Sequence, residues 1–255
     1  MKHAFSSAGK QALREALRGH ALLAFDFDGT LAPIVPRPEV AAAPSAIAQR
    51  LARLARLRPV AVVTGRSCED VRSRLGFTPQ YLIGNHGAEH GPADQQAPAA
   101  GQLDPLRARL AAWQNRLTAS GVTVEDKRLS IALHYRTARK LALAMAVIDE
   151  VLQDVGSDVR IFGGKCVVNV VPHGVPDKAG ALLSLVSQAG ADTAVFLGDD
   201  INDEVVFECA PPHWFTVLVG RASHGSRARF FLDGQNLVAI LLQDMLDLLT
   251  TRDDP

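Results

Sequence analysis

Three features of the sequence predict an α/β fold: a Rossmann-like parallel-sheet core carrying an inserted α+β segment. Short apolar runs that stop at acids or glycine alternate with helical periods in both outer parts of the chain. Two breaker-rich stretches, GPADQQAPAAGQ (91–102) and PHGVP (172–176), bracket the middle. Between them the strands alternate apolar and polar residues, as a half-exposed antiparallel sheet does. The expected division is 1–100 with 173–255 as the core and 101–172 as the insert.

The elements follow in order. The first 20 residues carry Ala and Leu among polar residues and suggest a helix. ALLAFDF (21–27) is a buried strand ending in acids. Pro44 stands where a first-turn proline would, and Ile47, Leu51 and Leu54 repeat on one helical face. PVAVVTGR (59–66) is a second strand, Cys68 to Leu75 a short helix, and YLIGNHGAEH (81–90) a third strand running into a Gly/His loop. The insert then reads helix (103–119), strands (121–126 and 129–136), helix (138–155) and strands (158–162 and 166–171), an αββαββ unit. The βα texture returns with a helix from Lys178 to Ala189, the strand TAVFLGDD (193–200), a helix around 203–209, a strand at 214–219 and a last helix at 235–250. RASHGSRARFFLDG (221–234) can supply a loop and an edge strand.

Composition narrows the function. Lys+Arg and Asp+Glu both number 27, so the net charge is zero and a protein that coats nucleic acid is not expected. Hydrophobic residues make up 47% of the 255, enough for a core rather than extended disorder. Cys68, Cys166 and Cys209 are scattered and odd in number, which fits neither a disulfide framework nor a zinc site. No run approaches the ~18 apolar residues of a membrane span, and the N-terminus lacks a signal-peptide pattern; a cytoplasmic protein with no membrane partner is expected.

Four short motifs carry chemistry. They gather only if the sheet forms, because ligands of open α/β sheets bind beyond the C-terminal strand ends. In DFDGT (26–30), Asp26 and Asp28 stand one residue apart, and their repulsion calls for a cation; Mg2+ is the usual hard partner of carboxylate oxygens. In VVTGR (62–66), Thr64 can donate to a phosphate oxygen or serve as a plain helix cap, and Arg66 can reach a phosphate or sugar or simply face solvent. Lys178, one of six lysines against 21 arginines, opens a helix whose N-terminus already favours anions. GDDIND (198–203) sets Asp199, Asp200 and Asp203 at a strand end, with Glu204 behind them.

In this order the motifs resemble the haloacid-dehalogenase-like phosphatase superfamily, with the insert placed as its larger caps are. FDFDGTLAPIVPRP (25–38), GNHGAEH (84–90), EDKRLSIALHYR (125–136) and GGKCVVNVVPHG (163–174) are similar to the trehalose-6-phosphate phosphatase family in particular. The resemblance implies a Mg2+-dependent hydrolase of trehalose 6-phosphate that releases trehalose and inorganic phosphate through a phosphoaspartate. Asp26 is the implied nucleophile and Asp28 the acid and base. Thr64 and Lys178 are the implied phosphate-side partners. Asp26, the Asp28 carbonyl and Asp199 would hold the metal, with Asp200 and Asp203 orienting Lys178 and metal-bound water. Glu125 and Lys127, two apart on a strand, are the implied cap contacts to sugar hydroxyls, and Glu89 with His86 a further contact. His134, Tyr135 and Arg136 are taken as packing residues of the cap sheet. Where that family usually carries Glu, this chain has Asn169, which bears on the identity of the sugar. A related phosphatase acting on a sucrose or mannosyl-conjugate phosphate, and a catalytically silent sugar-phosphate sensor, are the alternatives. The two breaker-rich stretches are the expected hinges of a closing cap, and a monomer is expected.

Overall fold

The computed structural model describes residues 1–90, 98–220 and 225–251. The α/β expectation holds. Seven strands form one wholly parallel sheet: β1 (Lys2–His3), β2 (Ala21–Phe25), β3 (Val60–Val63), β4 (Tyr81–Ile83), β9 (Thr193–Gly198), β10 (Phe215–Val219) and β11 (Phe230–Leu232). Their order is β1-β11-β10-β9-β2-β3-β4. The remaining strands, β5 (Thr123–Asp126), β6 (Ile131–His134), β7 (Val159–Gly164) and β8 (Val167–Pro172), form a separate antiparallel sheet in the order β5-β6-β8-β7.

Burial explains the continuous apolar runs. Every residue of β2, β3, β9 and β10 is buried, as expected of parallel strands covered on both faces. Alternate residues serve alternate layers. Leu23, Phe25, Val62, Leu197 and Val217 pack with α1 (Ser7–Ala16), α2 (Ser45–Leu54) and the last helix, Val238–Thr250. Leu22, Ala24, Ala61, Val63 and Phe196 face the opposite layer, which holds the helices Lys178–Gln188 and Glu204–Cys209. The antiparallel sheet has its own core. Ile131, Leu133 and Val170 pack on one face against Leu106, Leu110, Leu117, Ala144 and Ile148 of its helices.

Contacts divide the chain into two compact units, Met1–Gly87 with Asp177–Pro255, and Ala88–Pro176. These boundaries differ from those expected at 100 and 172. At the second one, the His173 amide still donates to the Asp158 carbonyl, so the chain stays tied to β7 past the end of β8. Of the expected linker, residues 91–97 lie outside the described residues, and 98–101 form a helical turn. Residues 221–224 of the expected loop and edge strand also lie outside them; Phe230–Leu232 is the strand.

Local details depart from the sequence reading. The N-terminal stretch is not all helix: Lys2 and His3 pair with Phe230 and Phe231 before α1 begins. A two-residue strand has no periodicity to detect. Pro44 is the residue before α2, with extended ψ, rather than part of its first turn. The expected helix 103–119 is two, Asp104–Ala112 and Gln114–Ser120, because Trp113 leaves the helical region at φ −97 and ψ 1.

Phe215, fully buried in β10, stacks on Phe230 of β11 with ring centroids 4.9 Å apart. Phe215→Ala removes that stack and leaves a cavity, and is expected to cost about 3–5 kcal/mol. Urea unfolding followed by circular dichroism checks this; an unchanged midpoint would count against the packing described.

Candidate active site

The sheet order reverses around β2. The strand that follows β2 in sequence, β3, lies on one side of it, and β9 lies on the other. Loops after β2 and β9 therefore part at the C-terminal edge, where α/β proteins bind ligands. Phe25 is in register with Leu197, and the Asp26 amide donates to the Leu197 carbonyl at 2.8 Å. That pairing brings Asp26 and Asp199 together from positions 173 residues apart.

Two glycines permit the approach. Gly29 has φ +83, and a Cβ there would overlap the Asp199 carboxylate. A Cβ at Gly198 would collide with the Asp203 carboxylate. Hydrogen bonds from the amides of Leu31 and Ala32 to the Phe27 carbonyl close the loop after β2.

Lys178 reaches the same place from the first turn of its helix, which Asp177 caps by accepting from the Gly180 amide at 2.8 Å. Its Nζ donates to Asp26 Oδ1 and to Asp203 Oδ1, each at 2.7 Å. All three side chains are buried. Burial alone would lower the lysine pKa, but Asp203 and Asp26 outweigh it and raise the value well above the ordinary one. The lysine's own contribution is thus present below its ordinary pKa and lost as the pH rises through the elevated one, whereas the acids' share is lost as they take up protons. Burial, helped by the nearby Asp203 and Asp199, raises the Asp26 pKa as well, to well above the carboxylate range, against the pull of Lys178.

Oxygens of Asp26, Asp199 and Asp203 lie within 4.8 Å of one another, so this cluster can hold a metal ion. Three carboxylates face one ammonium, an excess of negative charge that a divalent cation would offset. The acids differ in availability. Asp203 Oδ1 accepts from Lys178, and its Oδ2 accepts from the amides of Asp199 and Asp200 at 2.9 and 3.1 Å. Asp203 therefore positions the lysine and the β9 loop, while Asp26 and Asp199 are better placed as ligands. Asp28 is outside this cluster. Both its carboxylate oxygens are held by Arg66, at 2.7 and 2.8 Å.

Several other residues stand apart from their sequence-expected partners. Arg66, expected at a phosphate or sugar, spends its donors on Asp28, Asp70 and the Pro38 carbonyl. Asp200, expected beside Lys178, caps the turn at 201–203 instead, accepting from the Ile201 amide and Asn202 Nδ2. Thr64 is fully buried after β3; its Oγ1 accepts from the Arg66 amide, and its carbonyl accepts from the His86 amide. Asn85 and His86 take φ of 50 and 58, rare for residues other than glycine. The His86 ring sits where a Cβ on Gly65 would be. His86 thus belongs beside Thr64, and Glu89 is half-buried in the smaller unit.

In the smaller unit, Glu125, Ala132, Asn169 and Phe162 form one row across the antiparallel sheet. Asn169 is buried, and its Nδ2 has no hydrogen-bond partner among the described residues. Glu125 Oε2 lies 2.8 Å from His134 Nε2 and 3.5 Å from Lys127 Nζ. Burial would raise the Glu125 pKa, but His134 and Lys127 together hold it below the ordinary value. The sequence reading treated His134 as packing; in the structure it is a polar partner of Glu125. Their strands' register, which pairs Thr123 with His134, was the missing information.

A parallel sheet with acids at two adjoining strand ends, a buried hydroxyl at a third and a lysine on the next helix defines a haloacid-dehalogenase-like chain with a separate antiparallel-sheet unit. The trehalose-phosphatase family model matches residues 24–236, and the chain belongs to that family. It is 33% identical over 229 residues to the trehalose-phosphate phosphatase of Mycobacterium tuberculosis (strain H37Rv), covering 84% of this chain and 58% of that protein. The chain thus spans little more than half of that relative's length. The C-terminal domain of the C. albicans trehalose-6-phosphate phosphatase superposes with a TM-score of 0.76 at 22% identity, covering 94% of this chain and 96% of that one. The Synechocystis sucrose-phosphatase, solved with sucrose and phosphate, superposes with a TM-score of 0.59 at 18% identity, covering 88% and 96%. Both superpositions speak for the fold.

Gly29→Ala forces a methyl group onto the Asp199 carboxylate. It is expected to weaken Mg2+ binding by about 10–100-fold, as displaced supporting groups do at metal sites. Titration calorimetry with Mg2+ checks this; wild-type affinity in the variant would remove the acids from the metal site.

Proposed function

We propose that the chain hydrolyses trehalose 6-phosphate to trehalose and inorganic phosphate. The observation that carries the reading is Lys178 Nζ bound between Asp26 and Asp203 at the sheet's point of reversal, in a chain of the trehalose-phosphatase family. Asp26, Asp199 and the Asp28 carbonyl would hold Mg2+, which when bound offsets negative charge on the acids and the phosphate oxygens.

The residues divide the work. Lys178 holds Asp26 by Oδ1 and its charge favours the carboxylate against burial, and it is as the carboxylate that Asp26 attacks phosphorus. As the bond from phosphorus to the sugar oxygen breaks, Asp28, entering the step in its protonated form, gives that oxygen its proton and is left a carboxylate. In the second step Asp28 takes a proton from water. The water oxygen bonds to phosphorus, the bond to Asp26 breaks, and phosphate leaves with Asp26 restored as a carboxylate. Thr64 and Lys178 stabilise charge on the phosphoryl oxygens. Glu125, Lys127 and Asn169 are the proposed hydroxyl contacts of the smaller unit, with Glu89 and His86 as further candidates. A carboxylate, an ammonium and an amide together accept from and donate to several sugar hydroxyls.

One residue favours a second reading. Asn169 is shorter than Glu and uncharged, and its buried Nδ2 is left to donate. That leaves room for another disaccharide phosphate. A phosphate-release panel with trehalose 6-phosphate, sucrose 6-phosphate, a mannosyl-conjugate phosphate and glucose 6-phosphate separates the two. The highest kcat/KM is expected for trehalose 6-phosphate; preference for a different disaccharide phosphate would replace it. EDTA is expected to stop release and excess Mg2+ to restore it. Asp26→Asn should fall to background with the fold intact. Asp28→Asn should lose about 10²–10⁴-fold, the range of a lost acid–base group. Substrate binding without turnover in excess Mg2+ would leave a sensor, not an enzyme.

A further inference from the structure

We propose that Asp70 is a positioning residue for this reaction, holding Arg66 so that the guanidinium fork fixes the carboxylate of Asp28. The inference rests on the phosphatase reading above.

Among the described residues, Arg66 is the one side chain that donates to Asp28. It does so with Nε to Oδ2 at 2.7 Å and a terminal nitrogen to Oδ1 at 2.8 Å. This bidentate geometry sets the plane of the carboxylate as well as its position. The side chain it orients is over a third exposed, at 38%, so packing alone does not fix it. Arg66 itself is 12% exposed, spread over the Phe27 ring with its guanidinium carbon 5.4 Å from the centroid.

Asp70 is what holds Arg66 from behind. Its Oδ2 accepts the other terminal nitrogen of Arg66 at 2.7 Å. Its Oδ1 accepts from Nε of Arg74 at 2.9 Å and from a terminal nitrogen at 2.5 Å. Arg74 in turn donates to the carbonyls of Glu39 and Ala41. Asp70 is anchored through its own backbone as well: it lies in the helix Cys68–Arg72, and its amide donates to Ser67 Oγ. The chain of contacts runs from this helix and the 39–41 segment, through Asp70 and Arg66, to the group assigned the proton transfers. The two arginines together hold the Asp70 carboxyl below the ordinary range although burial opposes them.

Two carboxylates and two guanidinium groups alternate along this line and balance in charge. Without the Asp70 charge, Arg66 keeps one carboxylate partner and gains freedom to turn about it. Asp28 then loses its fixed plane but not its partner. A misplaced acid–base group slows proton transfer without preventing substrate binding, so the loss falls on kcat.

The test is a double-mutant cycle on the Mg2+-loaded chain, read by phosphate release from trehalose 6-phosphate. D70N is expected to lower kcat about 10-fold, a part of the ~10²–10⁴-fold that acid–base catalysis supplies, with KM within about twofold. D70E, which keeps the charge, should recover most of the loss. In a D28N background, D70N should lower kcat no further, because its effect passes through Asp28. Equal losses in both backgrounds, or D70E as slow as D70N, would mean a structural role and overturn the proposal. If D70N melts below the assay temperature, the cycle is read with R66K. That variant keeps the charge but loses the bidentate fork, and the same lack of additivity is expected. An active wild type with D70N at wild-type kcat overturns this proposal alone. A wild type that releases no phosphate from any sugar phosphate overturns the phosphatase reading and this proposal with it.

Discussion

A carboxylate buried at the end of a central strand is costly unless something charged meets it, and the ammonium of Lys178 is the protein's own answer. It is shared between Asp26, the proposed nucleophile, and Asp203, whose second oxygen receives the amides of Asp199 and Asp200. One cation therefore links the loop after β2, the loop after β9 and the helix Lys178–Gln188. Removing it would leave two buried acids facing each other with neither charge nor position held. The rest of the catalytic edge follows from this link. Asp199 is placed by the same turn that Asp203 closes, and Gly29 and Gly198 are small because the carboxylates occupy the space of a side chain.

The sheet makes that arrangement possible at little cost in stability. β2 and β9 are buried on both faces and paired from Ala21 to Phe25 and Thr193 to Leu197. A rigid ladder fixes where each strand ends. The polar groups are confined to the few residues beyond that point, so the apolar layers above and below stay intact. The loop after β3 is stitched in the same manner. Thr64 receives the His86 amide, and Arg66 receives the Asn85 amide, with Asn85 and His86 held at positive φ. Strained backbone of this sort persists only where its surroundings over-determine it.

The core strands were legible in the sequence because full burial writes a continuous apolar run, and the motif acids were legible because they end those runs. The seven-stranded order was not, since strand neighbours depend on tertiary pairing that no local pattern records. The same gap hides the partners at the site. VVTGR leaves Arg66 open to a phosphate, a sugar or solvent; Asp70 is only four residues away, but Asp28 and the Pro38 carbonyl come from distant loops. Asp200 and Asp203 look equivalent in GDDIND. Only the turn at 201–203 shows that one caps its own backbone while the other turns inward. His134 stands next to the core residue Leu133 in the chain, and its contact with Glu125 depends on the register of β5 and β6.

Chemistry and selectivity rest on different kinds of structure in this chain. The proposed reacting groups sit at parallel strand ends and on the first turn of the helix Lys178–Gln188, each with at least one charged or backbone partner that limits its motion. The proposed sugar contacts sit on a small antiparallel sheet with a separate core, where a row of residues can change without touching that machinery. Asn169 illustrates the freedom. It is buried between Ala132 and Phe162 in register, with a donor left over, and its neighbours are strand residues rather than catalytic ones. A substitution there alters which hydroxyl oxygens are met and leaves Asp26, Lys178 and Asp203 as they are. Differences in substrate within such a fold are then expected to accumulate on this row, while the strand-end acids and their lysine stay fixed by the cost of burying any one of them alone.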